Sequence, residues 1–195
     1  VNATSTWAGC IMDRTQDYDT DVTTPSGASL YPAANDDNCP PASLMTIGYD
    51  WTALGTKVDD MAANGSTNQT IGLQHGWATL TSGTPYSAPT LPANTTQYII
   101  LVSDGLNTQD RWYGDGSNQS TSVDGRMSTT CTSAKAAGIV IYTIFVDLNG
   151  TQGNSSVLQN CATDTSKYFD LTTSNAIITT FNQIAQQITA VRVSR

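Results

Sequence analysis

Two loops of this 195-residue chain carry oxygen groups of the kind that hold hard cations. The first is Asn64-Gly-Ser-Thr67-Asn-Gln-Thr-Ile-Gly-Leu73, a Gly-Ser-Thr turn opening a helix. The second is Ile100-Leu-Val-Ser-Asp104-Gly-Leu-Asn107, which puts a carboxylate where an apolar run ends. A hydroxyl and an aspartate converging on one face suit Mg2+ or Mn2+. Each residue also has an ordinary role open to it, Thr67 as a helix cap and Asp104-Gly105 as a turn.

Other reactive residue types are less organised. His75 is the single histidine, and no G-x-S-x-G elbow accompanies it, so it reads as a packed or surface side chain rather than a catalytic one. Asp36-Asp37 and Asp59-Asp60 are adjacent pairs that suit solvated turns or a helix surface. Asp17, Asp19 and Asp21 alternate as in a calcium loop but lack its glycine and its bidentate acid, so a solvated loop is expected. The stretch 104–126, with Asp104, Asp110, Asp115 and Asp124, is a second calcium candidate. It also holds Trp112 and Tyr113, either an exposed contact patch or aromatics folded back over a sheet edge.

The elements that must position these groups follow from hydrophobic periodicity. Residues 1–43 read as irregular, rich in Asp, Asn, Thr, Gly and Pro. A short strand is predicted at 44–48. Helices are predicted at 50–63, through Trp51, Leu54, Val58 and Met61, and at 69–80, through Leu73, Trp77 and Leu80. Prolines make 82–96 a loop. Strands are predicted at 98–102 and 139–146, with a polar loop over 105–127 and a helix over 128–137 capped by Ser128 or Thr129. A short helix at 154–162 and a strand at 167–171 come next. Ile177, Phe181, Ile184, Ile188 and Val191 then mark a final amphipathic helix. Strands apolar throughout belong in a parallel sheet covered on both faces, which makes the fold α/β. Ligands collect at the carboxyl ends of such strands, where Asp104 falls.

Composition bounds the function. All sixteen acidic residues are Asp, the net charge is -8, and only 12% of residues are charged. That balance argues against nucleic-acid binding and against a coiled coil. No apolar run reaches the roughly 18 residues of a membrane span. A surface of hydroxyls and amides with four cysteines suggests an oxidising, extracytoplasmic setting: secreted, periplasmic or cell-surface. The chain starts at Val1 rather than Met, which reads as a processed or trimmed piece. Four cysteines allow three pairings. If sequential parallel strands are joined by right-handed crossovers, the helices carrying Cys131 and Cys161 share one face. A Cys131–Cys161 bridge then follows, leaving Cys10–Cys39 to clamp the front segment.

An ordered set of motifs resembles the von Willebrand factor type A domain, in particular its C-terminal half in TadG-like proteins of bacterial tight-adherence pili. The set is Trp7-Ala-Gly-Cys10-Ile-Met-Asp-Arg14, Gly65-Ser-Thr67-Asn68, Gly72-Leu73, Gly76-Trp77, Ile100-Leu-Val-Ser-Asp104-Gly-Leu-Asn107-Thr108, Cys131, Lys135-Ala-Ala-Gly138-Ile139, Tyr142-Thr-Ile144 and Cys161-Ala162. The resemblance implies a doubly wound, mostly parallel sheet with helices on both faces and a metal-ion-dependent adhesion site at its upper edge. It implies residues 44–195 as the C-terminal part of such a domain and 1–43 as an irregular, disulfide-clamped insertion. Thr67 and Asp104 match two of the family's three ligand positions.

The family's D-x-S-x-S motif, and the strand that carries it, are absent from 1–195. The implied cation, Mg2+, Mn2+ or Ca2+, therefore needs oxygens from upstream residues, since a hard cation takes about six. The implied role is non-enzymatic adhesion or assembly. Its partners would be an upstream segment of its own precursor, pilus components, a surface receptor or a second copy. The alternatives are a structural subunit that assembles through its open sheet without metal and, distantly, an extracellular hydrolase. Seven N-x-S/T sequons occur, at Asn2, Asn64, Asn68, Asn94, Asn118, Asn149 and Asn154; chance supplies several in such a composition, and the bacterial resemblance implies that most carry no meaning.

Overall fold

Apolar runs become strands and amphipathic runs become helices through the second half of the chain. The computed structural model describes residues 3–34, 39, 42–148 and 150–193. Asp36-Asp37 and the sequons at Asn2 and Asn149 lie outside the described residues. In chain order the elements are β1 (Cys10–Ile11), β2 (Ala33–Ala34), α1 (Trp51–Asp59), α2 (Gln69–Thr79), β3 (Tyr98–Ser103), α3 (Thr121–Ala136), β4 (Val140–Val146), α4 (Ser156–Cys161), β5 (Tyr168–Leu171) and α5 (Ser174–Val193). β1 and β2 form a small antiparallel ribbon in the front segment.

β3, β4 and β5 form a parallel sheet in that order, with Ile100 beside Tyr142 and Ile144 beside Phe169. Its two faces build two cores. Ile141 and Phe145 of β4 join Ile99, Leu73 and Trp77 of α2, Met127 and Cys131 of α3, and Leu158 of α4. The alternate residues Tyr142, Ile144 and Val146 join Leu171 and, from α5, Ile184. Helices thus cover both faces, as the unbroken apolar character of β4 requires. The order β3-β4-β5 advances in one direction. The second wing of a doubly wound sheet is not among the described residues.

Three expectations are corrected. Residues 44–48 form no strand: Leu44 and Ile47 are exposed, and a short apolar run without a partner does not hold a ladder. The polar loop is shorter than predicted, because α3 begins at Thr121 under a Ser120 cap rather than near Ser128. Gly125 and the Thr and Ser residues hid it, since each lowers helix propensity. Burial of Val123, Met127, Cys131 and Ala134 along one stripe overrides that cost. The hydroxyls of Thr129, Thr130 and Thr132 donate to the carbonyls four residues back, so they need no other partner. Thr67 is not the cap of α2. Asn68 is, accepting from Ile71 N at 3.2 Å.

The disulfides are Cys10–Cys39 and Cys131–Cys161, the second joining α3 to α4 across 5.1 Å between Cα atoms. The front segment is organised internally by Arg14 and meets α2 and α3 through Gln74 and Arg126. Arg14, 1% exposed, donates from Nε to Ser29 O (2.7 Å) and from Nη2 to Thr23 O (2.8 Å), and its guanidinium lies over the Tyr31 ring. Arg126 of α3 pairs with Asp19 and Asp17 of that segment. Gln74 of α2 donates to Asp21 O and to the Tyr31 hydroxyl.

The Cys131–Cys161 bridge closes a loop of 30 residues, worth about 3.5 kcal/mol in unfolded-chain entropy. Replacing both cysteines with Ala is expected to remove about that much stability in urea titration. The sheet's far-ultraviolet signature should persist below the new midpoint.

Candidate functional site

Loops from three crossovers meet at the carboxyl end of the sheet. The backbone of Thr67 holds the loop after β3: Thr108 N and Gln109 N donate to Thr67 O (2.9 and 3.3 Å), and Thr67 N donates to Thr108 Oγ1 (2.9 Å). A Cβ built on Gly105 would stand 3.4 Å from Thr67 Oγ1, so the hydroxyl lies against the residue that follows Asp104. The exposed Asp104 is anchored through its carbonyl, which accepts from Gln152 Nε2 at 2.8 Å. The structure therefore brings Thr67 and Asp104 to one rim.

Two buried residues that sequence reasoning passed over shape this rim. Asn107, wholly buried, accepts from Gln69 N (2.8 Å) and donates to Asp124 (2.9 Å), tying α2 to α3. Asp147, at the end of β4, accepts from the backbone N–H groups of Thr151, Gln152 and Gly153. Its position at a strand's carboxyl end, ahead of a Gly-containing loop, was the available signal.

A third missed residue is Asp13. Its carboxylate accepts from Asn68 Nδ2 through both oxygens (3.0 and 2.9 Å) and from Arg111 N (3.1 Å), while its carbonyl accepts from Arg111 Nη1 (3.1 Å). Burial pushes its pKa up, and these donors oppose the shift. Asp13 thus joins the front segment, the turn that carries Thr67 and the turn that carries Trp112. Two residues separate it from Cys10, so the first disulfide clamps this joint.

Trp112 and Tyr113 are 44% and 41% exposed at this rim. Arg111 lies over the Trp112 ring at 4.4 Å. Asp110 accepts from the N–H groups of Trp112 and Tyr113, which sets the turn. Asp115 accepts from Asn118 and Ser117 N–H groups, the Asn118 bonds holding its carboxyl down to about 2. These acids close turns rather than converge as a calcium loop would. Asp17 and Asp19, expected to be solvated, pair with Arg126, and Asp19 is buried. The Asn68 amide, a sequon candidate, is engaged by Asp13.

Among the described residues, no three His, Cys or acidic side chains group so as to hold a metal ion. Thr67 and Asp104 supply two oxygens where a hard cation takes about six. The donor set does not fit a divalent ion by itself. His75 packs between Tyr31 and Tyr86, its Nδ1 2.6 Å from the Tyr86 hydroxyl. Burial, helped by the Arg14 charge, pushes its pKa down to about 4.

No protein-family model matches the chain, and no curated protein matches it at a significant level. Its fold is similar to part of the crystal structure of the pilus adhesin SpaC from Lactobacillus rhamnosus GG, with a TM-score of 0.51 at 17% identity. The match covers 70% of this chain and 21% of that one, so this chain spans a small part of SpaC's length. At such identity the likeness establishes a shared fold.

Two outcomes are expected. Asp13→Ala should speed amide exchange over residues 108–113 and cost about 1–3 kcal/mol, because Asn68 and Arg111 lose a buried acceptor. Stability owed to neutral His75 is fully present above the unfolded value of 6.5 and is lost as pH falls toward about 4. Thermal melts should therefore show the wild type losing Tm relative to His75→Phe between those values.

Proposed function

We propose that this chain is a non-enzymatic, pilus-associated or cell-surface module for adhesion or assembly, built on a von Willebrand factor A-like, TadG-like sheet. The fold shared with the pilus adhesin SpaC carries this reading. Support comes from the rim, where Thr67, Asp104 and the exposed pair Trp112 and Tyr113 sit on loops held rigid from below. Rigid loops at the carboxyl end of a parallel sheet are where such folds present contacts. Aromatic rings backed by Arg111 suit a protein partner, such as a pilus component or a surface receptor.

The two disulfides fit an extracytoplasmic location. No helix among the described residues is long and apolar enough to cross a membrane. A divalent cation enters this reading only with oxygens from outside the chain. Thr67 and Asp104 would supply part of its shell, and a partner or upstream residues the rest. A second reading, a structural subunit that assembles through its sheet without metal, draws on the edge of β3 that no strand pairs with among the described residues.

The test is photo-crosslinking from position 112 in the producing cell, with binding of the labelled chain to the cell surface measured alongside. Adducts to a surface or pilus protein are expected. Trp112→Ala and Asp104→Ala should each weaken binding about tenfold, near 1.4 kcal/mol, without moving Tm. Assembly that survives both Thr67→Ala and Asp104→Ala gives the structural reading precedence, and turnover abolished by Asp104→Ala sinks both. Millimolar Mg2+ added to the isolated chain should give a flat calorimetric trace and an unchanged melting curve.

A further inference from the structure

The chain holds two Asn-Gly pairs, Asn64-Gly65 and Asn149-Gly150. Such a pair is open to self-modification. The backbone nitrogen of the second residue attacks the side-chain amide carbon of the first and closes a five-membered ring. Glycine has no Cβ, so it leaves that nitrogen unshielded and lets the backbone turn toward the side chain. The reaction needs a free nucleophile, a free leaving group and room to turn.

Asn64 has all of these. Asn64, Gly65 and Ser66 are exposed, on the irregular stretch between α1 and α2. Among the described residues, neither the Asn64 side chain nor the Gly65 N–H has a hydrogen-bond partner. Gly65 stands at φ +76°, a region that glycine enters without strain.

The second pair differs at its nucleophile. Gly150 N donates to Asp147 O at 2.9 Å, in the loop that the Asp147 carboxylate closes. Asn149 itself lies outside the described residues. Other asparagines have their amides engaged. Asn68 Nδ2 donates to Asp13, Asn107 Nδ2 to Asp124 and Asn118 Nδ2 to Asp115. An amide held by such a bond is not free to rotate toward the backbone.

We propose that Asn64 is a site of spontaneous deamidation, which puts a new carboxylate and, in the isoaspartate product, a longer backbone into the turn that Thr67 anchors, loosening that turn's hold on the loop of Trp112. Gly65 N gives its proton to hydroxide and bonds to Asn64 Cγ. The Cγ–Nδ2 bond breaks, and ammonia leaves with a proton taken from water. Water then adds to one of the two ring carbonyls. Opening at Cγ yields aspartate. Opening at the main-chain carbonyl carbon yields isoaspartate, whose chain runs through the side chain and is one carbon longer. The net change is one water in and one ammonia out, and nothing is oxidised or reduced.

The position gives the reaction its consequence. Ser66 Oγ donates to Gly116 O at 3.4 Å, and Thr67 O accepts from Thr108 N and Gln109 N. Charge and added length therefore enter beside the contacts that hold the loop carrying Trp112. The proposal stands whether or not the adhesion reading does.

Peptide mapping by mass spectrometry of the 195-residue chain, aged in mildly alkaline buffer, tests it. An isoaspartyl methyltransferase with labelled S-adenosylmethionine reports the isoaspartate. In the folded chain Asn64 should deamidate about tenfold faster than Asn149, where the Gly150 hydrogen bond must first break. In urea the two sites should react alike. Asn64→Gln should remove most of the methyl acceptor and leave Tm unchanged. Amide exchange at Thr108 and Gln109 should be faster in the isoaspartate form than in the fresh chain. Equal rates at the two sites in the folded chain, or a lead for Asn149, would overturn the proposal. So would a glycan on Asn64, because a glycosylated amide does not leave as ammonia. Exchange at Thr108 and Gln109 as slow in the isoaspartate form as in the fresh chain would overturn the link to the rim.

Discussion

The double burial of β4 is the constraint on which the rest of the structure depends. Its residues from Ile141 to Val146 are all buried, alternating between two cores. A strand without a solvent face must have helices above and below it and a strand on each side. α3 and α4 supply one cover, α5 supplies the other, and β3 and β5 fill the flanks. Thr143, the polar member of the strand, is admitted because its hydroxyl donates to Leu158 O at 2.8 Å. The carboxyl ends of these strands then set where the candidate site can form.

The front segment is held to this frame by polar chemistry, with Val22 packed against the main core. Buried Arg14 takes up carbonyls that an irregular loop would otherwise leave unpaired, and the faces of Tyr31 and Tyr18 shelter its charge. Arg126 reaches across from α3 to Asp19 and Asp17. Buried pairs of this kind contribute little net stability when intact, and breaking one partner is costly. They define where the segment sits, and so where Asp13 meets the rim. The composition allows this, because Asp, Thr, Ser and Asn supply many short polar groups that close turns on themselves.

Function follows from what the rim offers and what it lacks. Thr67 and Asp104 stand together, and the exposed aromatics occupy the loop that Thr67 helps to hold. Among the described residues no three His, Cys or acidic side chains group so as to hold a metal ion, and His75 Nδ1 meets the Tyr86 hydroxyl.

Much of this was legible in the residues. The apolar runs at 98–102 and 139–146 identified β3 and β4 within a residue or two, because burial on both faces leaves no other pattern. Their parallel order fixed the faces of the neighbouring helices, and with them the Cys131–Cys161 bridge. Thr67 and Asp104 could be placed on one rim because strand ends and helix starts meet there. The first turns of α3 were hidden by weak local propensity, and the strand expected at 44–48 failed for want of a partner.

The roles of Asp13, Arg14, Asp19 and Arg126 were not legible at all. Asp13, Asp19 and Arg126 meet across separations set by how the front segment lies on α2 and α3, and Arg14 reaches carbonyls up to 15 residues away within that segment; no local period encodes either. Sequence by itself determined the alternation of buried strands and covering helices, because the hydrophobic effect acts on each short run independently of its neighbours. Tertiary structure alone decided which charges meet, because hydrogen bonds and ion pairs depend on positions that only the packed chain brings within about 3 Å.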